Sequence, residues 1–112
     1  MSKNFKQNEF ACKCCHKIIV SSELLAVLEL VRSHFNRPVS INSGYRCDAH
    51  NKEIGGKPNS RHKLGVAADI TVIGITPAQV AYYLESIFPD TYGVGRYNSF
   101  THIDVRKKKA RW

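Results

Sequence analysis

The feature that most constrains this chain is a histidine and a carboxylate separated by a glycine and followed by an apolar segment. His62 and Asp69 lie seven positions apart with Gly65 between them, and Asp69 leads into the run Ile70-Thr71-Val72. Neutral imidazole and carboxylate are both competent zinc ligands, and a catalytic zinc ion typically takes three protein ligands and leaves one position open. The pattern therefore predicts a metal site built on a loop and on the buried strand after it.

The third ligand is predicted in residues 99–105, which read as a strand. Since side chains alternate between the two faces of a strand, His102 and Asp104 share one face and should look into the same pocket. We therefore expect one zinc ion bound by His62, Asp69 and His102.

Three blocks, in this order along the chain, resemble the peptidase M15 family, whose members are zinc-dependent peptidases that cut the peptide stems of bacterial peptidoglycan. The blocks are Ser43-Gly44-Tyr45-Arg46, Ser60-x-His62-x-x-Gly65-x-Ala67-x-Asp69 and His102-x-Asp104. The likeness covers nearly the whole chain and is closest to the small, single-domain D,D-carboxypeptidase-like members of bacteria and phages. It implies that Arg46 binds a substrate carboxylate, for which a planar guanidinium is well shaped, and that the Ser60 hydroxyl contacts the substrate.

These residues also have structural alternatives. Arg46 could pair with Asp48 or Glu53, and Ser60 could be only a turn or capping residue. A buried Asp69 could be neutralised by Arg46 instead of by a metal ion.

The residue that takes a proton from water departs from the family pattern. Several branches of the family use an acid or a histidine two or three residues before the last ligand, but here those positions are Phe100 and Ser99. Asp104 is the remaining acid on this strand face. We predict that Asp104 is either the general base or the carboxylate that orients a ligand histidine. The structural alternative is an ion pair with Arg46 or Arg106.

The 112 residues suffice for a single domain, residues 1–112, with one modest core. Two helices are predicted. The first has Ser21 or its neighbour as a cap and ends near Asn36, ahead of Pro38; the second starts at Thr76-Pro77 and ends at Pro89. Their spaced apolar residues are assigned to the core.

Strands are predicted at residues 39–42 and 69–72, with a hairpin over residues 92–106 that turns at Asn98-Ser99, and one or two helical turns at residues 48–54. The predicted fold is a small α+β domain in which two main helices pack on a short, mostly antiparallel sheet carrying the zinc site.

The cysteines form a second pattern. Cys12-x-x-Cys15 and Cys47-x-x-His50 have the spacing of a Cys3His structural zinc site, which would tie the N-terminal segment to the active-site loop. The alternatives are a disulfide or plain reduced thiols, and the lack of a secretion signal makes the disulfide the less expected of the two. Cys14 receives no role.

The chain has 17 lysines and arginines against 9 aspartates and glutamates, a formal net charge of +8. This surplus favours polyanionic partners such as the cell wall or nucleic acid. Nucleic acid is not expected, because no nucleic-acid-binding motif appears and such a domain leaves His62, Asp69 and His102 unexplained. The simpler alternative is a solvated basic surface in which residues 106–109 are exposed and mobile.

The first nine residues are polar and lack a signal-peptide core, and no apolar run approaches the ~20 residues of a membrane span. We therefore expect a monomer made in the cytoplasm without membrane insertion. It would act on the wall after release, with the help of a separate pore-forming protein, as phage lytic enzymes do.

The leading functional hypothesis is a zinc peptidase acting on peptidoglycan stem peptides, either as a carboxypeptidase or as an endopeptidase. The alternative is a non-catalytic, metal-stabilised module that binds the cell wall. This alternative predicts bound zinc without turnover, in line with the missing acid before His102.

Overall fold

The computed structural model describes residues 3–112. The elements in chain order are α1 (Ser22–Phe35), β1 (Val39–Ser43), α2 (Asp48–Glu53), β2 (Ala67–Val72), α3 (Pro77–Ile87), β3 (Gly93–Arg96), β4 (Thr101–Asp104) and β5 (Ala110–Arg111). Short 3-10 turns lie at Gln7–Phe10 and Arg61–Leu64. No helix in the described part of the chain has the length and apolar character needed to cross a membrane.

The five strands form one sheet in the order β1-β2-β4-β3-β5. The first three neighbouring pairs are antiparallel, and β5 pairs in parallel with β3. The predicted α+β fold with a mostly antiparallel sheet is confirmed. The parallel edge strand β5 was not predicted, because two residues after a basic run carry no strand pattern of their own.

Both predicted main helices are present, and both begin at a hydroxyl cap. The Leu24 N–H donates to Ser21 Oγ at 3.0 Å, and the Gln79 N–H donates to Thr76 Oγ1 at 3.1 Å. Helix α1 ends where Asn36 takes a left-handed conformation with φ of 51°. The third helix, α2, is the short one expected at residues 48–54.

The core lies between helices α1 and α3 and one face of the sheet. Leu28, Ile70, Leu84 and Ile103 are fully buried in this cluster. Ile70 and Ile103 belong to the inner strands β2 and β4, which are paired on both sides. Side chains alternate between the two faces of a strand. Because Ile70 and Ile103 pack into the core, Asp69 and His102 next to them lie on the opposite face of the sheet.

Candidate metal centre

Two of the predicted ligands are set together by the sheet itself. Asp69 of β2 and His102 of β4 are direct cross-strand partners, although 33 positions separate them in the chain. Side chains of such a pair lie on the same face and close together. His102 Nδ1 is 3.0 Å from Asp69 Oδ1.

His62 reaches the same carboxylate oxygen from the 3-10 turn that precedes β2. Its Nε2 atom is 3.2 Å from Asp69 Oδ1. The turn ends at Gly65, whose φ is +71° and where a Cβ would lie 2.5 Å from Ile19, so that this position requires glycine. The structure thus brings the three predicted ligands together: their ligand atoms all lie within 4.8 Å of one another, and all three side chains are buried.

The second ring nitrogen of each histidine has a protein partner. His62 Nδ1 lies 2.8 Å from the carbonyl oxygen of Gly44, and His102 Nε2 lies 2.8 Å from Asp104 Oδ2. Partners of this kind fix the tautomer and the orientation of metal-binding histidines. They leave His62 Nε2 and His102 Nδ1 as the nitrogens that face the carboxylate, and this donor set fits a zinc ion.

The second carboxylate oxygen of Asp69 is held by Arg46, whose Nη2 lies 3.3 Å from Asp69 Oδ2. The guanidinium also contacts Asn51 Oδ1 at 3.4 Å. Among the described residues its acidic partner is therefore Asp69, and not Asp48 or Glu53 as the structural alternative proposed. The Arg46 contact occurs together with the two histidine contacts, and it leaves the Oδ1 side of the carboxylate to the histidines.

These contacts shift two pKa values in opposite directions. Burial alone would raise the pKa of Asp69, but hydrogen bonds from His102 and His62 and their charges hold it well below its usual range. Burial alone would lower the pKa of His102, but its hydrogen bonds to Asp104 and Asp69 raise it. Asp69 is therefore ionised, as a metal-binding carboxylate must be.

Asp104 is fully buried behind His102. Its Oδ2 atom accepts a hydrogen bond from Arg106 Nη2 at 2.8 Å, and its Oδ1 accepts one from Arg106 Nε at 2.7 Å. Despite burial, the hydrogen bonds from His102 and Arg106 keep the pKa of Asp104 below its usual range. Asp104 is not among the described residues that line the pocket, contrary to the expectation that it shares the pocket with His102; its carboxylate lies against the Nε2 edge of the ring. Of its two proposed ion-pair partners, Arg106 is the one in contact.

Gly93 of β3 is the cross-strand partner of Asp104 and leaves the space that this carboxylate occupies. A Cβ at this position would lie 2.5 and 2.6 Å from the two carboxylate oxygens of Asp104. We expect Gly93→Ala to lower the free energy of unfolding by about 1–3 kcal/mol, because a tightly packed, fully bonded carboxylate must move. Urea unfolding of the two metal-free proteins measures this difference, and equal midpoints would contradict it.

The three ligands lie in an open pocket of about 570 Å³. The pocket is basic, since Arg46, Lys57, Arg61 and Arg106 line it. In the described part of the chain, Asp69 is the only carboxylate among the lining residues. This charge distribution suits a substrate that carries carboxylates.

Ser60 has a structural role at the start of the turn that carries His62. It caps the 3-10 turn by accepting the His62 N–H at 3.3 Å, and it also lines the pocket. The capping role expected as the alternative is therefore present, in a residue that also lines the pocket.

Aromatic side chains form one wall of the pocket. The rings of Tyr97 and Phe100 stack with centroids 4.4 Å apart, and Trp112 Nε1 donates to Tyr97 Oη at 2.8 Å. The Trp112 ring lies 5.0 Å from the ring of His102, and the Arg106 guanidinium lies 5.1 Å from the Trp112 ring centre.

Trp112 was given no place in the predicted site, and the alternative of a solvated basic surface placed Arg106 in an exposed run. The structure corrects this: only residues 107–109 of the run are exposed, and β5 returns Trp112 to the pocket. One signal was available in Gly95, where a Cβ would lie 2.7 Å from the indole of Trp112. A glycine in a buried strand indicates that another group approaches the backbone closely.

Comparison with known proteins agrees with this geometry. No curated protein matches the chain significantly. The family model described as Peptidase M15 matches residues 3–104, a range that contains His62, Asp69 and His102. Because this match spans most of the chain and includes all three residues of the candidate metal centre, the protein belongs to the peptidase M15 family, a family of hydrolases that are typically metal-dependent.

Proposed function

We propose that this protein is a zinc-dependent metallopeptidase that hydrolyses peptide bonds in the stem peptides of bacterial peptidoglycan. The observation that carries the proposal is the convergence of His62, Asp69 and His102 in an open, basic pocket. In each ligand the polar atom that does not face the centre is held by another protein group. Such support is typical of the ligands of a metal site, and a solvated cluster of polar side chains does not require it.

A zinc ion in this centre would be held by His62 Nε2, His102 Nδ1 and Asp69 Oδ1. The chemistry that such an ion would supply is Lewis acidity, which would polarise the scissile carbonyl and bring the pKa of a water molecule toward ~7. The remaining chemistry concerns how the chain's own residues orient the ligands and bind the substrate.

Asp104 suits the orienting role better than the role of general base. A general base works best when its pKa is near the working pH, whereas the pKa of Asp104 is lowered by His102 and Arg106. Its carboxylate is also fully buried and has both oxygens occupied. We therefore assign to Asp104 the task of holding His102 so that Nδ1 faces Asp69.

Arg46 is proposed to bind a carboxylate of the substrate. Of the five N–H donors of a guanidinium, three contact Ser43, Asn51 and Asp69, and the other two remain for a ligand in the pocket. Stem peptides carry free carboxylates at the terminal D-alanine and on side chains. Ser60, which lines the same pocket as Arg46, is proposed to contact the same peptide through its hydroxyl.

We expect Arg46→Lys to raise KM about 10-fold or more for a peptide that ends in a free D-alanine carboxylate. A lysine keeps the charge but cannot present a planar fork, and a hydrogen bond to a charged group contributes about 1.5–3 kcal/mol. Steady-state kinetics with the free peptide and with its C-terminal amide measure the effect.

The amide provides the control. If Arg46 contacts the terminal carboxylate, amidation should cost the wild type much more than it costs Arg46→Lys. If amidation raised KM equally in both proteins, Arg46 would not contact the terminal carboxylate, and internal cleavage would be favoured.

A non-catalytic wall-binding module is the second candidate. The observation that favours it is that Asp69 is the only carboxylate among the described lining residues, so that the pocket offers no free acid as a base. Incubation of the zinc-loaded protein with purified peptidoglycan separates the two. New amino termini or released alanine, abolished by a chelator, establish the peptidase; sedimentation with the wall without any product establishes the binding module.

A further inference from the structure

A second cluster of metal-binding side chains lies outside the pocket, where the N-terminal segment meets the start of α2. Cys12 and Cys47 are 35 positions apart in the chain, yet their sulfur atoms are 3.7 Å from each other. The sulfur atoms of Cys12, Cys15 and Cys47 all lie within 4.8 Å of one another. The thiols are free, and Cys12 is buried.

These distances fit a shared metal ion better than a disulfide. With a Zn–S distance of about 2.3 Å, two sulfur atoms of a tetrahedral site are about 3.8 Å apart, close to the separation of Cys12 and Cys47. A disulfide needs about 2.05 Å, and it would leave a third converging thiol, that of Cys15, without a function.

Backbone N–H groups point at the sulfur atoms, as expected around thiolates. The Cys47 N–H donates to Cys12 Sγ at 3.5 Å, and the His50 N–H donates to Cys47 Sγ at 3.4 Å. Contacts of this kind stabilise the thiolate, which is the form that binds zinc.

The fourth position distinguishes two ligand sets. His50, the residue indicated by spacing, contacts the cluster through its backbone N–H. Cys14, next in the chain to Cys15, is the other candidate, and its thiol is free and exposed. Three thiols therefore converge, and the fourth ligand can come from Cys14 or from His50 beside them.

We propose that Cys12, Cys15 and Cys47, with a fourth ligand from Cys14 or His50, bind a second, structural zinc ion. Four protein ligands close the coordination shell and leave no position for a substrate, which is the arrangement of structural zinc sites. The site does not depend on the peptidase activity proposed for the pocket.

The position of this second site links it to the pocket. Cys47 directly follows Arg46, and the same segment supplies the Gly44 carbonyl that contacts His62. The segment is also tied to the N-terminal turn, since the Tyr45 N–H donates to the Phe10 carbonyl at 3.0 Å. A zinc ion between residues 12–15 and Cys47 would clamp these two segments together and so keep Arg46 and the partner of His62 in place.

The test is the number of zinc ions per chain, measured by elemental analysis on full-length protein purified under reducing conditions. We expect two in the wild type, one in Cys12→Ser and one in Asp69→Asn. Replacement by cobalt adds a spectroscopic readout: sulfur-to-cobalt charge-transfer bands should appear in the wild type and in Asp69→Asn and vanish in Cys12→Ser. If only the pocket site did not bind metal, these bands would still appear, so the experiment tests the two sites separately.

The fourth ligand is tested by a matched pair of variants. Weaker retention of the second zinc ion against a chelator in Cys14→Ser alone would identify Cys14 as the fourth ligand, and weaker retention in His50→Ala alone would identify His50. Unchanged retention in both variants would contradict a closed site with four protein ligands. If a cysteine variant does not fold, the proposal can still be tested on the wild-type protein. An organomercurial reagent should release one zinc ion as four thiols react. Four thiols that react freely in the zinc-loaded protein, or two that are missing after denaturation without reductant, would overturn the proposal.

Discussion

Asp69→Asn is expected to abolish turnover on peptidoglycan together with binding of the zinc ion in the pocket. Asp69 gives one oxygen to both histidines and the other to Arg46, so its charge balances the whole centre. An amide keeps the shape but removes the charge, and it places an N–H₂ group against one of these donors. Hydrolysis should fall to the level seen with chelator, and elemental analysis should show one zinc ion fewer per chain.

Asp48→Asn is the matched control, because it is the same substitution at an exposed acid. Asp48 pairs with Lys63 at 2.8 Å, and its side chain is 87% exposed. An exposed ion pair contributes little, so this variant should keep both zinc and turnover. If Asp69→Asn hydrolysed peptidoglycan at the rate of this control, the metal centre described for His62, Asp69 and His102 would not be the active site.

The three predicted ligands could be named from the sequence because their chemistry is local. The spacing of His62 and Asp69 and the alternation that places His102 on a strand face are both properties of short segments. What the sequence does not contain is the register that sets Asp69 opposite His102, because strand pairing depends on packing between distant segments. The ligand types alone implied that these two segments had to meet.

The surroundings of the ligands were harder to predict because they depend on tertiary contacts. Trp112 follows an exposed basic run, and nothing in that run indicates that β5 adds to the sheet beside β3. Asp104 was placed correctly on the same strand face as His102. The alternation of side chains along a strand, however, does not distinguish a residue that lines a pocket from one that is buried behind its neighbour. The helices, in contrast, followed from caps and apolar spacing, which are local signals.

Asp104→Asn is the second variant with a large expected effect, and it separates the two roles considered for this residue. If Asp104 orients His102, the variant should lose about 10–100-fold in zinc affinity and in activity measured at limiting zinc. The reason is that an amide oxygen can replace only part of the contacts that the carboxylate makes with His102 and Arg106. Zinc titration with a competing chelator and hydrolysis assays across zinc concentrations measure both quantities.

A general base would give another result. Turnover at saturating zinc would fall by about 10²–10⁴ while zinc affinity stayed unchanged, and the acidic limb of the pH–rate profile would be altered. Arg106→Lys sharpens the comparison, since it keeps the positive charge but removes the forked pair of hydrogen bonds to Asp104. If Asp104 orients His102, Arg106→Lys should also weaken zinc binding. The loss should be smaller than in Asp104→Asn, because Asp104 and its hydrogen bond to His102 remain. Unchanged zinc affinity in both variants would contradict the orienting role and would favour Asp104 as the general base.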